Sequence, residues 1–140
     1  MMSVKKVALI LLYKSDGTML LQHRTDDAPV FPAHWAIFGG QIEPGESPEH
    51  AVRRECGEEL AYELSEPALF MIHHFAFEGL EHVIYLFVET YNGAPLTLGE
   101  GQGMGWYQLE EMQPLMMSRL DRMYTEAFAA ALRGQHHKSA

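Results

Sequence analysis

The stretch from Gly40 to Glu59, GQIEPGESPEHAVRRECGEE, is the most informative part of this chain for both fold and chemistry. A glycine-containing turn leads into a segment with the signals of a helix start. Ser47 can cap the helix, Pro48 suits its first position, and Glu49 complements the positive end of the helix dipole. The sequence therefore predicts a short helix that begins at Pro48, directly after a turn.

The end of this helix carries a cluster of glutamates, Glu55, Glu58 and Glu59. Residues three and four apart lie on one face of a helix, so the carboxylates should converge on an open face. Like charges at this spacing oppose folding by roughly 0.2–0.5 kcal/mol per pair, which favours binding of a counter-ion. Hard oxygen ligands suit Mg²⁺ or Mn²⁺. The apolar stripe that should face the core is formed by Val52, Cys56 and Leu60.

The spacing of this segment resembles the signature of the Nudix hydrolase family, G-x5-E-x7-R-E-U-x-E-E-x-G-U, where U is a bulky apolar residue. This signature, which would cover residues 40–62 here, is called the box below. Ala61 stands where the signature has its last glycine, and Tyr62 takes the final apolar position. The glycine of the signature would end the helix in the left-handed backbone conformation, which costs alanine about 1–2 kcal/mol. We therefore expect the helix to end differently here or to run on slightly. The other fixed positions are filled in register by Gly40, Glu46, Arg54, Glu55, Glu58 and Glu59.

A second, shorter match lies downstream. The segment 99–102, Gly-Glu-Gly-Gln, precedes Trp106 and resembles a loop of the MutT-like nucleoside triphosphate pyrophosphohydrolases. In those relatives the loop glutamate joins the metal site, which makes Glu100 the candidate here; otherwise it is an ordinary loop glutamate. The box resemblance also implies that Glu46 and Arg54 pair to pin the loop to the helix, although Arg54 could instead reach a phosphate.

The resemblance implies a bound Mg²⁺, with Mn²⁺ as a possible substitute. Its implied ligands are Glu55, Glu58 and Glu59, the carbonyl oxygen of Gly40, and Glu100 as a further carboxylate. Relatives use either a box glutamate or a later loop glutamate as general base, and geometry decides between them. Glu55 is the first choice for the base and Glu100 the second, which leaves Glu58 as a ligand.

Recognition of the substrate is less clearly encoded. The aromatic residues Phe31, Trp35 and Phe38 surround the entry to the box, and an aromatic face can stack on a nucleobase. Core packing explains them equally well and is the preferred explanation for Phe38. His23 and Arg24 end a predicted strand, where they either contact phosphate or form a solvated strand end. Arg24, Trp35 and Phe38 are the candidate substrate residues.

A zinc site is a competing reading of the histidines. His73, His74 and His82, together with Cys56, offer suitable ligand types. Adjacent histidines in a strand point to opposite faces, however, and Cys56 should face the core. None of these residues has a recognisable zinc spacing, so a zinc site is not predicted.

Composition limits the classes of function. The 140 residues have 47% hydrophobic and 21% charged content, typical of a globular protein, and contain no apolar run long enough for a transmembrane helix. The apolar N-terminal run lacks a small-residue cleavage site, so we expect a first strand and not a signal peptide. One cysteine favours a reducing cytoplasm. A net charge of −9 argues against binding to a nucleic-acid backbone, and no membrane contact is expected.

The remaining sequence indicates alternating strands and helices in one domain over residues 1–140. Asp16-Gly17 is a hairpin signal between the first two strands, and a final helix follows Pro114 and stops at Gly134. The resemblance implies an α/β fold, the Nudix α/β/α sandwich with a mixed β-sheet flanked by helices. Predicted strands cover 7–13, 19–23, 35–38, 68–77, 82–91 and 104–108.

The leading hypothesis is a metal-dependent pyrophosphohydrolase that cleaves a nucleoside diphosphate linked to another group. A nucleoside triphosphate, ordinary or oxidised, giving the monophosphate and pyrophosphate is the favoured substrate, because of the Glu100 loop match. The alternatives are a hydrolase of nucleotide sugars, ADP-ribose or dinucleoside polyphosphates, and a non-catalytic Nudix ligand sensor. The partner would be a small-molecule nucleotide, and the protein a monomer or homodimer.

Overall fold

The computed structural model describes residues 3–99 and 101–139, with side chains as far as Gln135. Over these residues the predicted strands and helices occur in the predicted order, but the structure also contains a short helix, Leu109–Met112, that was not predicted. None of the helices in the described ranges is long and apolar enough to cross a membrane. The elements are β1 (Ser3–Tyr13), β2 (Met19–His23), β3 (Trp35–Ala36), β4 (Phe38–Gln41), α1 (Pro48–Leu60), β5 (Ala68–Phe77), β6 (Leu80–Thr90), β7 (Gly103–Tyr107), α2 (Leu109–Met112) and α3 (Arg119–Ser139).

The chain divides into two compact units, of which the first holds the box helix. This unit comprises the described residues up to Leu12 together with Phe38–Gly99. In it β4 pairs antiparallel with β1, and β5 pairs antiparallel with β6. Helix α1 packs beside β4, and its stripe of apolar side chains has no exposed surface. The buried stripe consists of Val52, Cys56 and Leu60, each 0% exposed, as predicted.

The second unit contains Tyr13–Ile37 and the described residues after Gly99. Here β2 is the central strand, because it pairs antiparallel with both β3 and β7. The aromatic ring of Tyr13 packs edge-on against that of Phe128 on α3, with centroids 4.8 Å apart. Tyr124, one helical turn earlier, is 1% exposed. Together these aromatic side chains fix α3 within this unit.

Several predicted boundaries were wrong, and the first strand begins at Ser3 and not at residue 7. The predicted strand 35–38 is interrupted at Ile37, because β3 pairs with β2 whereas β4 pairs with β1. The predicted final helix begins only at Arg119, where Ser118 Oγ accepts a hydrogen bond from the backbone N–H of Asp121 at 3.1 Å. It then continues past Gly134, which a long helix tolerates at a cost of about 1 kcal/mol relative to alanine.

The end of α1 also differs from the prediction. Ala61 has φ 51° and ψ 37°, the left-handed conformation that the signature's glycine would adopt, and its N–H donates to the carbonyl of Gly57. The helix therefore ends where a glycine would end it, with alanine in a strained backbone conformation. Our expectation that alanine would change the helix end was wrong.

Candidate active site

Helix α1 begins with the predicted cap. Ser47 Oγ accepts a hydrogen bond from the backbone N–H of His50 at 3.0 Å, and Pro48 occupies the first helical turn. Just before it, Gly45 has φ +80°, a conformation that side-chain-bearing residues rarely adopt. This sharp turn brings the neighbouring Glu46 back towards the helix.

The structure brings the predicted pair Glu46 and Arg54 together. Arg54 donates from Nε to Glu46 Oε2 at 2.7 Å and from Nη2 to Oε1 at 2.9 Å, a two-pronged contact. The backbone N–H of Glu43 and the Nδ1 of His50 complete the surroundings of this carboxylate, at 3.0 and 2.7 Å. The Arg54 guanidinium in particular holds the pKa of Glu46 well below its usual range. Glu46 is therefore a fixed anion that ties the turn to the helix.

Arg54 also faces the glutamates at the helix end. Its Nη1 lies 3.0 Å from Glu55 Oε1 and 3.5 Å from Glu58 Oε2, and its Nη2 donates to the Gln41 carbonyl at 3.2 Å. The hydrogen bonds that Arg54 donates to Glu46 raise the pKa of Arg54 above its already high value. One guanidinium thus serves several carboxylates, so this surface carries more negative than positive charge.

Glu59 differs from the other box glutamates. Its residue is only 5% exposed, whereas the Glu58 side chain is 61% exposed. The Glu59 Oε1 accepts a hydrogen bond from the backbone N–H of Gly39 at 3.0 Å. The prediction that all the glutamates lie on an open face was therefore wrong for Glu59. The cause is that its carboxylate turns inwards to fix the Gly39-Gly40 turn.

The close approach of Glu55 to Gly40 provides the test of a metal site. A Cβ atom on Gly40 would lie 2.5 Å from both Cδ and Oε1 of Glu55, so only glycine leaves room for this carboxylate. The donors gathered here, carboxylate oxygens beside a glycine backbone, are hard ligands that fit Mg²⁺ or Mn²⁺. In residues 3–99 and 101–135 no three His, Cys, Asp or Glu side chains are arranged to hold a metal ion.

The predicted loop carboxylate, Glu100, lies outside the described residues. The residue before it is well placed: the N–H of Gly99 donates to the carbonyl of Glu59 at 2.7 Å. A Cβ at Gly99 would lie 2.5 Å from the carbonyl oxygen of Glu58. Gly99 therefore lies in tight contact with the last turn of α1, which carries Glu58 and Glu59.

In the second unit the candidate substrate residues have different environments. The Trp35 ring stacks face to face on His23, with centroids 4.5 Å apart and an interplanar angle of 3°, and meets Tyr107 edge-on at 5.2 Å. Trp35 remains partly exposed. In the first unit Phe38 is 1% exposed, so it serves the packing of the core, the alternative that the sequence already favoured.

A carboxylate that the sequence reasoning missed lies near Arg24. Asp121 Oδ2 accepts a hydrogen bond from Ser118 Oγ at 3.0 Å. Burial raises the pKa of Asp121 to about 6, although this hydrogen bond, the charge of Arg24 and the backbone N–H of Ile37 act in the opposite direction. Arg24 Nε is buried without a hydrogen-bond partner among the described residues. The sequence signal was Ser118 three positions before Asp121, a helix-start pattern that shows no function by itself.

Two of the three histidines considered as zinc ligands, His73 and His82, pack against an aromatic ring. His82 stacks on Phe75 with centroids 4.8 Å apart, and His73 meets the same ring at 5.0 Å. Burial raises the pKa of the Cys56 thiol to about 12, so this thiol stays protonated in the core. These contacts give the three side chains a packing role.

Comparisons with known proteins agree with this arrangement. The chain matches the NUDIX domain family over residues 3–128. Nucleoside triphosphatase NudI of Escherichia coli K12 is 53% identical over 53 residues, which cover 38% of the chain and 38% of that protein. The solution structure of the E. coli ORF135 protein has a TM-score of 0.78 at 28% identity, covering 94% of this chain and 92% of that chain. The crystal structure of a MutT protein from Methanosarcina mazei Go1 has a TM-score of 0.80 at 22% identity, covering 93% and 96%.

The predicted α/β fold, a mixed β-sheet with flanking helices, is confirmed by this structural likeness. The family match covers most of the chain, and Arg54 contacts Glu46, Glu55 and Glu58 within the matched residues. The match to the NudI relative spans well under half of that protein, so it carries less weight than the family match. The chain belongs to the Nudix hydrolase family.

Proposed function

We propose that the protein is a metal-dependent pyrophosphohydrolase that cleaves the diphosphate linkage of a nucleoside triphosphate to give the monophosphate and pyrophosphate. The observation that carries this proposal is the Glu55 carboxylate held against the backbone of Gly40 at the edge of an acidic surface. Such a surface repels a triphosphate unless cations neutralise it, and divalent metals bridge carboxylates to phosphate oxygens.

The metal would be Mg²⁺ or Mn²⁺, as is typical of the family. Glu55, Glu58 and the Gly40 carbonyl would hold it, with Glu59 and Glu100 as further ligands. When bound, it supplies charge neutralisation on the phosphate oxygens and a more acidic water. Glu55 and Glu58 lie beside Arg54, which would have to give up these contacts if both carboxylates held the metal.

The remaining steps use side chains of this chain. Glu55, or else Glu100, accepts the proton of the attacking water. Arg54 stays on Glu46 and thereby holds the turn and the helix in place during the reaction. The Glu46–Arg54 pair itself does not contact the substrate, but it orients the groups that do.

Arg24 and Trp35 are the proposed contacts of the nucleotide in the second unit. The partly exposed indole of Trp35 provides an aromatic surface for a base, and the guanidinium of Arg24 provides positive charge for a phosphate. Asp121 adds a carboxyl group whose pKa of about 6 lets it accept or donate a hydrogen bond near neutral pH. A triphosphate substrate is further supported by the name of the NudI relative, a nucleoside triphosphatase.

The experiment is a pyrophosphate- and phosphate-release screen with Mg²⁺ and with Mn²⁺. It compares ordinary and oxidised nucleoside triphosphates with nucleotide sugars, ADP-ribose and dinucleoside polyphosphates. Glu58→Gln should abolish metal-supported turnover while the fold is kept, because it removes a proposed carboxylate ligand of the metal. Glu49→Gln is the matched control, because both side chains lie on α1 and are 61% and 59% exposed.

Each result of the screen has a distinct meaning. Triphosphate turnover that is lost in Glu58→Gln and kept in Glu49→Gln supports the proposal. Turnover confined to nucleotide sugars, ADP-ribose or dinucleoside polyphosphates would keep the metal chemistry and contradict the proposed substrate. Silence across the panel, with nucleotides still raising the melting temperature, would favour a ligand sensor.

A further inference from the structure

The loop formed by residues 25–34, between β2 and β3, is closed on itself by hydrogen bonds at its two ends. The N–H of Ala33 donates to the carbonyl of Thr25 at 3.0 Å, and Nε2 of His23 lies 3.0 Å from the carbonyl oxygen of Ala33. Because a carbonyl oxygen only accepts, this ring nitrogen of His23 carries the proton. The same imidazole stacks on Trp35, so the loop is joined to a proposed nucleotide contact.

The backbone of this loop is strained. Phe31 has φ 47° and Ala33 has φ 60°, one on each side of Pro32. Residues other than glycine rarely adopt positive φ, and they keep it only where the surrounding contacts enforce it. The contacts that reach the loop from other parts of the chain therefore help to decide whether it keeps this shape.

Gln102 supplies such contacts from a distant segment. Its Nε2 donates to the carbonyl of Arg24 at 2.7 Å and to Oδ1 of Asp26 at 3.1 Å. Its backbone N–H donates to the carbonyl of His23 at 2.8 Å. A Cβ atom on Gly101, which has φ +91°, would lie 2.8 Å from that same carbonyl oxygen, so glycine allows the close approach. The side chain and the backbone of Gln102 thus both hold the start of the loop.

We propose that Gln102 is a positioning residue, which fixes Arg24 and the loop 25–34 in the shape that receives the nucleotide. The backbone of Arg24 is held on both sides, because its N–H donates to the carbonyl of His34 at 2.9 Å and its carbonyl accepts from Gln102. A fixed backbone fixes the direction in which the guanidinium-bearing side chain leaves the chain, so less freedom is lost when a phosphate binds. This inference rests on the proposed function, since it assigns Arg24 to the substrate.

The first test separates the KM from the kcat of triphosphate hydrolysis. Gln102→Met removes the donor without adding charge, so KM should rise about fivefold to tenfold, the loss expected for one or two hydrogen bonds. The kcat should stay within about twofold, because the side chain acts through Arg24 and not on the reacting groups. Gln108→Met is the matched control, since Gln108 is also exposed and donates to a backbone carbonyl, that of Asp16 before β2.

A rescue experiment tests the contact with Asp26 directly. Gln102→Glu places two carboxylates side by side and should raise KM further than Gln102→Met does. Adding Asp26→Asn reverses donor and acceptor at the wild-type net charge, so KM should return to within about threefold of the wild-type value. Melting temperatures check that all variants fold. An unchanged KM in Gln102→Met, or a double variant no better than Gln102→Glu alone, would overturn the proposal.

Hydrogen exchange tests the positioning role without turnover. With no nucleotide present, the hydrogen-bonded amides of Arg24 and Ala33 should exchange about tenfold faster in Gln102→Met than in the wild type, and at the wild-type rate in Gln108→Met. Faster exchange in a protein whose wild type hydrolyses no triphosphate would support the positioning role and contradict the proposed function alone. Equal exchange in Gln102→Met and the wild type would overturn the positioning role, whatever the substrate.

Discussion

Arg54 and Arg24 each lie near a carboxyl group, but they differ in how many of their hydrogen-bond donors have a partner. Arg54 donates twice to Glu46 and once to Glu55, and the pKa of Glu46 is held well below its usual range. Arg24 has a buried Nε with no partner among the described residues, and burial raises the pKa of the nearby Asp121 to about 6.

In the Arg54 region the folded chain supplies hydrogen-bond partners for the guanidinium, whereas in the Arg24 region one buried donor has no partner among the described residues. Buried polar groups in native proteins almost always have partners, so an unpartnered one calls for an explanation such as a water molecule or a ligand. The Arg54 cluster needs no ligand to hold its shape, which fits a framework for catalysis. The Arg24 region instead combines a buried donor that has no partner among the described residues with a carboxyl group whose pKa is raised to about 6.

Replacing Arg54 is expected to have the largest effect, because it removes the two-pronged contact that defines the first region. Arg54→Lys keeps the charge but cannot donate from Nε and Nη2 together, so the turn loses its link to α1. We expect kcat/KM with Mg²⁺ to fall by about 100-fold, the upper end for groups that orient metal ligands. Steady-state kinetics over a range of Mg²⁺ concentrations measures this effect.

The neighbouring arginine provides the control. Arg53 lies on the same helix and contacts Glu49 and the carbonyl groups of Leu64 and Ser65. Arg53→Lys should therefore lower the melting temperature slightly and leave kcat/KM near the wild-type value. Equal losses of activity in both variants would mean that Arg54 supports the helix in general and not the catalytic surface.

How much of this comparison the sequence could predict differs between the two regions. The Arg54 cluster is local: a cap, a proline and a fixed spacing on one helix determine which side chains meet. The inward turn of Glu59 could not be read from that spacing, because it depends on the N–H of Gly39 in another strand.

The Arg24 region was hidden because its residues come from distant parts of the chain. Arg24 follows β2 and Asp121 lies at the start of α3, and no short motif connects them. The break between β3 and β4 was missed for a related reason, since the change of pairing partner at Ile37 depends on the sheet. Strand β5, by contrast, was predicted with its observed bounds, because the apolar run between turn residues has no competing interpretation.

Asp121→Asn tests the second region through the pH dependence of stability. The folded-state pKa of about 6 lies above the ordinary value of 3.8, so the folded chain keeps this proton over a wider pH range than the unfolded chain. The contribution is full below about pH 4 and is lost as the pH rises through 6. Asparagine cannot ionise, so the variant should gain roughly 1–2 kcal/mol over wild type between pH 4 and pH 7.5.

Thermal melts of both proteins across this pH range give the measurement. Asp27→Asn is the control, because it removes the same kind of carboxyl group at an exposed position in the loop after β2. A wild-type profile in Asp121→Asn would mean that the Asp121 carboxyl is better solvated than its surroundings indicate. The contrast with the Glu46 carboxylate would then disappear.

Ala61→Gly tests the backbone of the Arg54 region. The charged groups of this region are paired, but its helix ends in a strained backbone conformation at Ala61. Ala61 has φ 51° at the end of α1, where glycine adopts the conformation without steric cost. The variant should gain about 1 kcal/mol in unfolding free energy, less the larger chain entropy of glycine when unfolded. Ala130→Gly, at an exposed position inside α3, should lose about 1 kcal/mol in the same denaturation experiment. If both variants lose stability, the left-handed strain at Ala61 is smaller than its backbone angles imply, and the box helix is as relaxed at its end as at its cap.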